Sequence, residues 1–213
     1  MTSSHGPRRL SGEARRQELI LAAIRSVARH GVNGATVESI CSVAGASTGL
    51  IRYHFGGKGK LLAAAYREIA KRFMAAIRTL EARREEDPLS QLQAFIDIIH
   101  DPTQIGDDLA SAWFGLWHAA KHEADLLAIN REWYAEYRAY LTTLIERAAR
   151  QRGAEVDAGR AAYGLIALTD GFWQELMIDP HAFDPELART ISRDYVDRLL
   201  ARPGDDATPP AGT

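Results

Sequence analysis

The run Ser47-Thr-Gly-Leu-Ile-Arg-Tyr-His-Phe55, followed at once by Gly-Gly-Lys-Gly-Lys60, gathers hydroxyl, guanidinium, phenol, imidazole and ammonium groups into one short stretch. This is a set of hydrogen-bond donors and cations, not an acid–base pair or a metal-ligand cluster. Read as a helix, Ile51 and Phe55 fall one turn apart and face inward, which leaves Thr48, Leu50, Arg52, Tyr53 and His54 largely outward. An arginine so placed can donate a bidentate pair to guanine O6 and N7, and a leucine can touch a thymine methyl. Tyr53, His54 and Lys58 have the reach for phosphates, which position a protein on DNA without reading sequence. Gly49 weakens the helix by up to ~1 kcal/mol relative to Ala, a cost that makes sense where a sugar-phosphate backbone approaches closely. Thr36 and Ser47, the expected caps of two short helices, complete the set of residues facing DNA.

A second group lies further along. Trp113 and Trp117 stand one turn apart, Trp133 and Tyr137 another turn apart, and Trp173 follows Asp170 within Thr-Asp-Gly-Phe-Trp. Aromatic residues at helical spacing serve ordinary core packing. The carboxylate beside them opens a second reading: tryptophan faces with an acid can hold a quaternary ammonium through cation–π attraction of ~0.5–2 kcal/mol per ring. His118 and His122 have helical metal-ligand spacing but no third ligand and no HEXXH pattern, so no metal is expected. No phosphate-binding glycine loop follows a strand, and no nucleophile elbow is present. Catalysis and a cofactor are not expected.

These residues need helices to hold them. Leu19, Ile20, Ala23, Ile24, Val27 and Ala28 predict a first helix, with Gly31 placed to end it. Thr36 and Gly45 bracket a second, Ser47 and Phe55 a third, and a long fourth runs from about Lys58. Asp87-Pro88 and Asp184-Pro185 each place a capping carboxylate before a proline suited to a first turn. Further helices are expected near 88–100, 107–121, 124–151, 157–178 and 184–201, with no alternating strand pattern. The fold class is all-α.

The net charge of -2 over 213 residues hides an asymmetry: residues 1–60 carry nine Lys/Arg against three Asp/Glu, and the rest is acidic. The single cysteine, Cys41, excludes an internal disulfide framework and reads as a small core residue in a reducing cytoplasm. No apolar run approaches a membrane span. The Ser/Gly/Pro-rich ends, 1–11 and 203–213, read as disordered tails. Composition sets a boundary at 60/61, giving domains 1–60 and 61–213.

The segment AGASTGLIRYHFGGKGKLL, preceded by GVNGATV, resembles the DNA-binding head of the TetR-like transcriptional regulators. Gly45, Ser47, Gly49, Ile51, Tyr53, Phe55, Lys58 and Leu61 carry the match. Arg52 departs from it, an aromatic being commoner there, and so do Gly56, Gly57 and Gly59, a candidate hinge. WFGLWHAAKHEADLL and YGLIALTDGFWQELM resemble the C-terminal domain of the BetI-type branch, through Trp113, Trp117, Gly164, Leu165, Asp170, Gly171 and Trp173. The resemblance implies a three-helix helix-turn-helix head and a larger helical domain for ligand binding and dimerisation. It implies a homodimer reading a palindromic double-stranded DNA operator; repression released by ligand is the default, and a ligand acting as co-repressor is the equal alternative.

Choline or another small cationic amine is the expected effector. The alternatives are a sensor of bulky hydrophobic or multidrug-like compounds, and a helical binding protein or enzyme without operator specificity. The last two helices offer apolar faces for the partner: Ala161, Leu165, Leu168, Phe172 and Leu176 on one, Leu187, Ile191, Tyr195 and Leu199 on the other.

Overall fold

The computed structural model describes residues 11–81, 87–101, 106–179, 181 and 183–201. Among these, nine helices form and no strand: α1 (Gly12–Gly34), α2 (Val37–Ala44), α3 (Thr48–Phe55), α4 (Lys58–Glu81), α5 (Pro88–Ile99), α6 (Asp107–Ala119), α7 (Ala124–Arg152), α8 (Ala158–Ile178) and α9 (Pro185–Leu199). The all-α expectation holds. The tails expected at the two ends lie, apart from Ser11, outside the described residues. No helix among the described residues is long and apolar enough to cross a membrane.

Helix starts follow the capping chemistry read from the sequence. Asp87 accepts from the Ser90 N–H at 3.0 Å ahead of Pro88, and Asp184 accepts from Glu186 and Leu187 at 3.0 and 3.1 Å ahead of Pro185. Each carboxylate satisfies N–H groups that the first turn would otherwise leave without a partner. Gly31, at φ 66°, takes the chain out of α1 as expected, but one further short turn carries the element to Gly34.

The helices form two compact units, neither continuous in sequence. The first comprises residues 1–69 and 107–130, the second 70–106 and 131–213. This differs from the compositional boundary at 60/61, and the reason lies in α1 and α6. Gly115 of α6 sits so close to α1 that an added Cβ would stand 3.2 Å from Val27 Cγ1 and 3.7 Å from Val32 Cγ2. The core of the first unit is a continuous apolar cluster of Leu19, Ile24, Ile40, Ile51, Leu61, Tyr66 and Leu116, with Trp113 and Trp117 packed on it. Within it the Tyr66 hydroxyl donates to Asn130 Oδ1 at 2.8 Å, and the Tyr66 and Trp113 rings lie 4.8 Å apart.

In the second unit Phe95, Leu92, Ile96, Leu141, Ala162 and Leu165 are fully buried. Helix α9 closes on α5 and α8 through polar contacts. His100 Nε2 and Ser192 Oγ are 2.8 Å apart, Arg193 pairs with Asp97, and the Tyr195 hydroxyl donates to the Ala161 carbonyl at 3.1 Å. Burial, with Arg189 close by, holds His100 down to about 4, so it stays neutral and hydrogen-bonded at neutral pH.

Candidate functional site

In the first unit, α2 and α3 meet at a tight turn. Thr36 caps α2, its Oγ1 accepting from the Ser39 N–H at 3.1 Å. Gly45 closes α2 at φ 57°, and the Ala46 N–H reaches the Cys41 carbonyl at 3.0 Å. That left-handed conformation is one a side chain resists, which is why glycine occupies the turn. Ser47 stands at the N-cap position of α3 with extended backbone, but its hydroxyl makes no capping bond. The cap expected from the sequence is therefore geometric only, and the Ser47 side chain is exposed.

Helix α3 is anchored by Ile51 and Phe55, 1% and 7% exposed. Arg16 of α1 lies over the Phe55 ring, 5.0 Å from its centroid, a cation–π contact between residues too far apart in the chain to show in any local pattern. The opposite face is open. Thr48, Gly49 and Arg52 are exposed, Tyr53 is 82% exposed with its ring edge-on to His54, and Leu50 and His54 are half-buried. Leu50 leans on the apolar core more than the outward reading expected. No atom lies within 4 Å of where a Gly49 Cβ would stand, so nothing inside the chain requires glycine there. Lys58 is half-buried, and its Nζ donates to the Val32 carbonyl at 3.1 Å, with further ammonium hydrogens left for another acceptor. Cys41 is buried at 4% exposure, and burial together with nearby Glu38 pushes its thiol pKa up, as befits a core residue.

The aromatic residues divide between the units. Trp113 and Trp117 belong to the first, half-buried on its core, with Trp117 edge-on to Phe114 at 5.7 Å. Trp133, Tyr137, Asp170 and Trp173 belong to the second. Here Trp133 packs on Phe73, Tyr134 and Tyr137, with ring centroids 5.3, 4.5 and 5.0 Å away. Tyr137 is buried beside Thr169, without a hydrogen bond of ordinary geometry, and burial drives its hydroxyl pKa far above the usual phenol value.

Asp170 is the charged member of this cluster. It is half-buried, and the Tyr134 hydroxyl donates to its Oδ2 at 2.8 Å. Burial raises its pKa to about 6, against the lowering effect of the Tyr134 bond. A carboxylate withdrawn from water among aromatic faces favours a cation that would restore its charge balance. Sequence reasoning missed Tyr134, although its place on the same helix as Trp133 and Tyr137 was a usable signal. Trp173 is half-buried, its indole N–H donating to the Ile99 carbonyl at 2.8 Å. It lines a small surface depression with Ile99, His100, Leu176 and Phe183. His118 and His122 are exposed, and no cluster of three metal-ligating side chains occurs among the described residues.

Comparison with known proteins follows the same two parts of the chain. Residues 19–65 match the tetR family of bacterial regulatory proteins, and residues 88–201 match the C-terminal domain of BetI-type transcriptional repressors. The chain is 31% identical over 192 residues to the HTH-type transcriptional regulator BetI 1 of Chromohalobacter salexigens, covering 88% of this chain and 91% of that one. It is 33% identical over 189 residues to BetI of Burkholderia thailandensis, covering 89% and 95%.

Among solved structures, a protein from Pseudomonas aeruginosa PAO1 assigned as a transcriptional regulator superposes with a TM-score of 0.81 at 34% identity, over 90% of this chain and 93% of that one. A protein from Saccharomonospora viridis, likewise assigned and crystallised in complex with choline, shares the fold with a TM-score of 0.76 at 23% identity, over 88% and 97%. Helix-turn-helix, helical C-terminal domain and relatives agree: this chain belongs to the TetR family, in the branch with a BetI-type C-terminal domain, and is a transcriptional regulator and not an enzyme.

Proposed function

We propose that the protein is a cytoplasmic repressor that binds a palindromic operator as a homodimer and answers to a small cationic amine. The observation that carries the DNA half is α3, pinned from beneath by Ile51 and Phe55 while Thr48, Gly49, Arg52 and Tyr53 stand open to solvent. In this reading residues 1–60 form the DNA-binding domain. Arg52, with Thr48 and Leu50, reads base edges, while Thr36, Ser47, Tyr53, His54 and Lys58 meet the backbone at a step where Gly49 admits close approach. Two such helices related by a two-fold axis enter successive major grooves about 34–36 Å apart, or a multiple of that spacing.

What supports a cationic effector is Asp170, withdrawn from water and held by Tyr134 beside Trp133 and Tyr137. Trp173 stands one turn along α8 from Asp170. The choline bound by the Saccharomonospora viridis protein makes choline the first compound to test. The parts of Trp113 and Trp117 in recognition rest on the sequence pattern. The partner surface is drawn from α8 and α9, with a correction to the sequence reading. Ala161 and Leu165 are 2% and 0% exposed within the protomer and so face its own core. Tyr163, Ile178, Leu187 and Ile191 are the large apolar side chains left exposed there.

The decisive experiment selects duplexes from a random library with the purified protein, then titrates the selected and a scrambled duplex at several salt concentrations. A palindromic consensus bound at least tenfold more tightly than scrambled DNA, with affinity falling steeply in salt, is expected. Equal affinity for both duplexes overturns the reading. Tryptophan emission during titration with choline, betaine aldehyde and glycine betaine tests the effector. A change with bulky hydrophobic cations alone would move the protein to the multidrug-like class, and silence with every amine removes the cation site.

A further inference from the structure

Tyr137 is 1% exposed, and its hydroxyl oxygen has no hydrogen-bonding partner of ordinary geometry. Phe73, Trp133 and Phe95 stand around the ring, their centroids 5.9, 5.0 and 6.0 Å away, and none of them carries a side-chain oxygen. The neighbouring Thr169, equally buried, donates its hydroxyl to the Ile166 carbonyl at 2.9 Å. A phenylalanine would fill the same space and bury no polar atom without a partner. Packing therefore accounts for the ring of Tyr137 but not for its hydroxyl. That hydroxyl lies close enough to Asp170 to feel its charge, and Asp170 directly follows Thr169 on α8.

We infer that Tyr137 is a specificity-determining residue of the effector site, its hydroxyl donating to an oxygen that the effector carries near its cationic group. The inference rests on the reading of Asp170 as the partner of that cation. It narrows the ligand class from small amines at large to ammonium compounds bearing a hydroxyl or carbonyl oxygen on a short chain. Asp170 takes the charge, while Tyr137, kept protonated by its burial, supplies the donor. Phe73 is the half-buried ring of the group, edge-on to Trp133 at 5.3 Å, and its rotation opens the way to the Tyr137 hydroxyl. A ligand without the oxygen would leave that hydroxyl unpaired, which is how a buried polar group rejects an apolar isostere.

The test uses the full chain, wild type and Tyr137→Phe. Calorimetric titration at pH 7 compares choline with propyltrimethylammonium, in which a methyl group replaces the hydroxyl, and thermal unfolding is followed without ligand. The wild type is expected to bind choline at least tenfold more tightly than its isostere. In Tyr137→Phe that preference should vanish: choline affinity falls at least tenfold, and affinity for propyltrimethylammonium stays within about twofold. The Tm of the free variant should rise by about 2–6 °C, because a buried hydroxyl without a partner has been removed.

Equal wild-type affinity for the two compounds overturns the inference and leaves the cation reading of Asp170 standing. Equal weakening of both compounds in Tyr137→Phe overturns it too, since that marks a change in packing. A lowered Tm in the variant does the same, by showing that the hydroxyl is already satisfied in the free protein. Silence with both compounds overturns the inference together with the cation reading.

Discussion

Tyr134 donates its hydroxyl hydrogen to Asp170 across 2.8 Å, from α7 to α8, and is the hydrogen-bonding partner that opposes the cost of burying that carboxylate. Because the folded pKa, about 6, lies above the ordinary 3.8, the folded protein binds more protons than the unfolded chain between those values. The stability that the neutral acid contributes is therefore complete below about 3.8 and is lost as pH rises through about 6. Asp170→Asn, neutral at every pH, should stabilise the free protein at pH 8 by about 1–3 kcal/mol and have little effect near pH 3.5. Urea unfolding at the two pH values checks this. A variant less stable at pH 8 would mean that the ionised carboxylate has a partner that offsets its burial.

The same carboxylate should make cation binding depend on pH. A cation prefers the ionised form, so choline affinity should rise about tenfold from pH 5 to 7 as Asp170 ionises. Asp170→Asn should bind weakly and without that rise. Calorimetric titration at the two pH values would reveal a flat profile if Asp170 lies away from the ligand.

Gly164 makes room for Tyr195. A Cβ at that position would stand 2.0 Å from the tyrosine oxygen and 2.8 Å from Cζ, both within the α8–α9 packing. Gly164→Ala should therefore cost about 1–3 kcal/mol through overpacking, despite alanine's better helix propensity. Adding Tyr195→Ala should recover part of the loss, a non-additivity readable in a double-mutant cycle of urea midpoints.

Gly49 presents the opposite case. With open space around its Cβ position, Gly49→Ala should stabilise the first unit by up to about 1 kcal/mol. If a sugar-phosphate backbone passes close by, the same change should weaken operator binding at least tenfold. Thermal unfolding and duplex titration on one preparation separate the two effects, and tighter binding would place Gly49 away from DNA.

The exposed apolar residues of α9 predict a self-association surface. Leu187→Asp and Ile191→Asp alter side chains that are 55% and 37% exposed, so the protomer should keep its fold to within about 0.5 kcal/mol. Dimer dissociation should rise at least tenfold in sedimentation velocity. Unchanged dimers would assign the interface to another face.

Much of this arrangement was legible because local chemistry dictated it. Caps at Thr36, Asp87 and Asp184, and the left-handed glycines 31 and 45, declared the helix boundaries before any packing was considered. Ile51 and Phe55 disclosed the inner face of α3 through their spacing alone. What stayed hidden depended on groups distant in sequence. The Lys58–Val32 and Tyr134–Asp170 bonds join residues 26 and 36 apart, and neither leaves a periodic trace. Ala161 and Leu165 misled for a related reason. A helix with apolar residues on two faces does not announce which face the chain itself will cover, and here its own core took them.

The close approach of Gly115 to Val27 and Val32 bears on inheritance as well as folding. A crossover near codon 60 between two such genes would join α1 from one parent to α6 from the other, and a larger residue from either parent at this crossing would press on its neighbour. On the proposed reading of α3, new operator preferences should therefore arise chiefly by single substitutions at its exposed positions Thr48, Gly49 and Arg52, and seldom by wholesale exchange of gene segments.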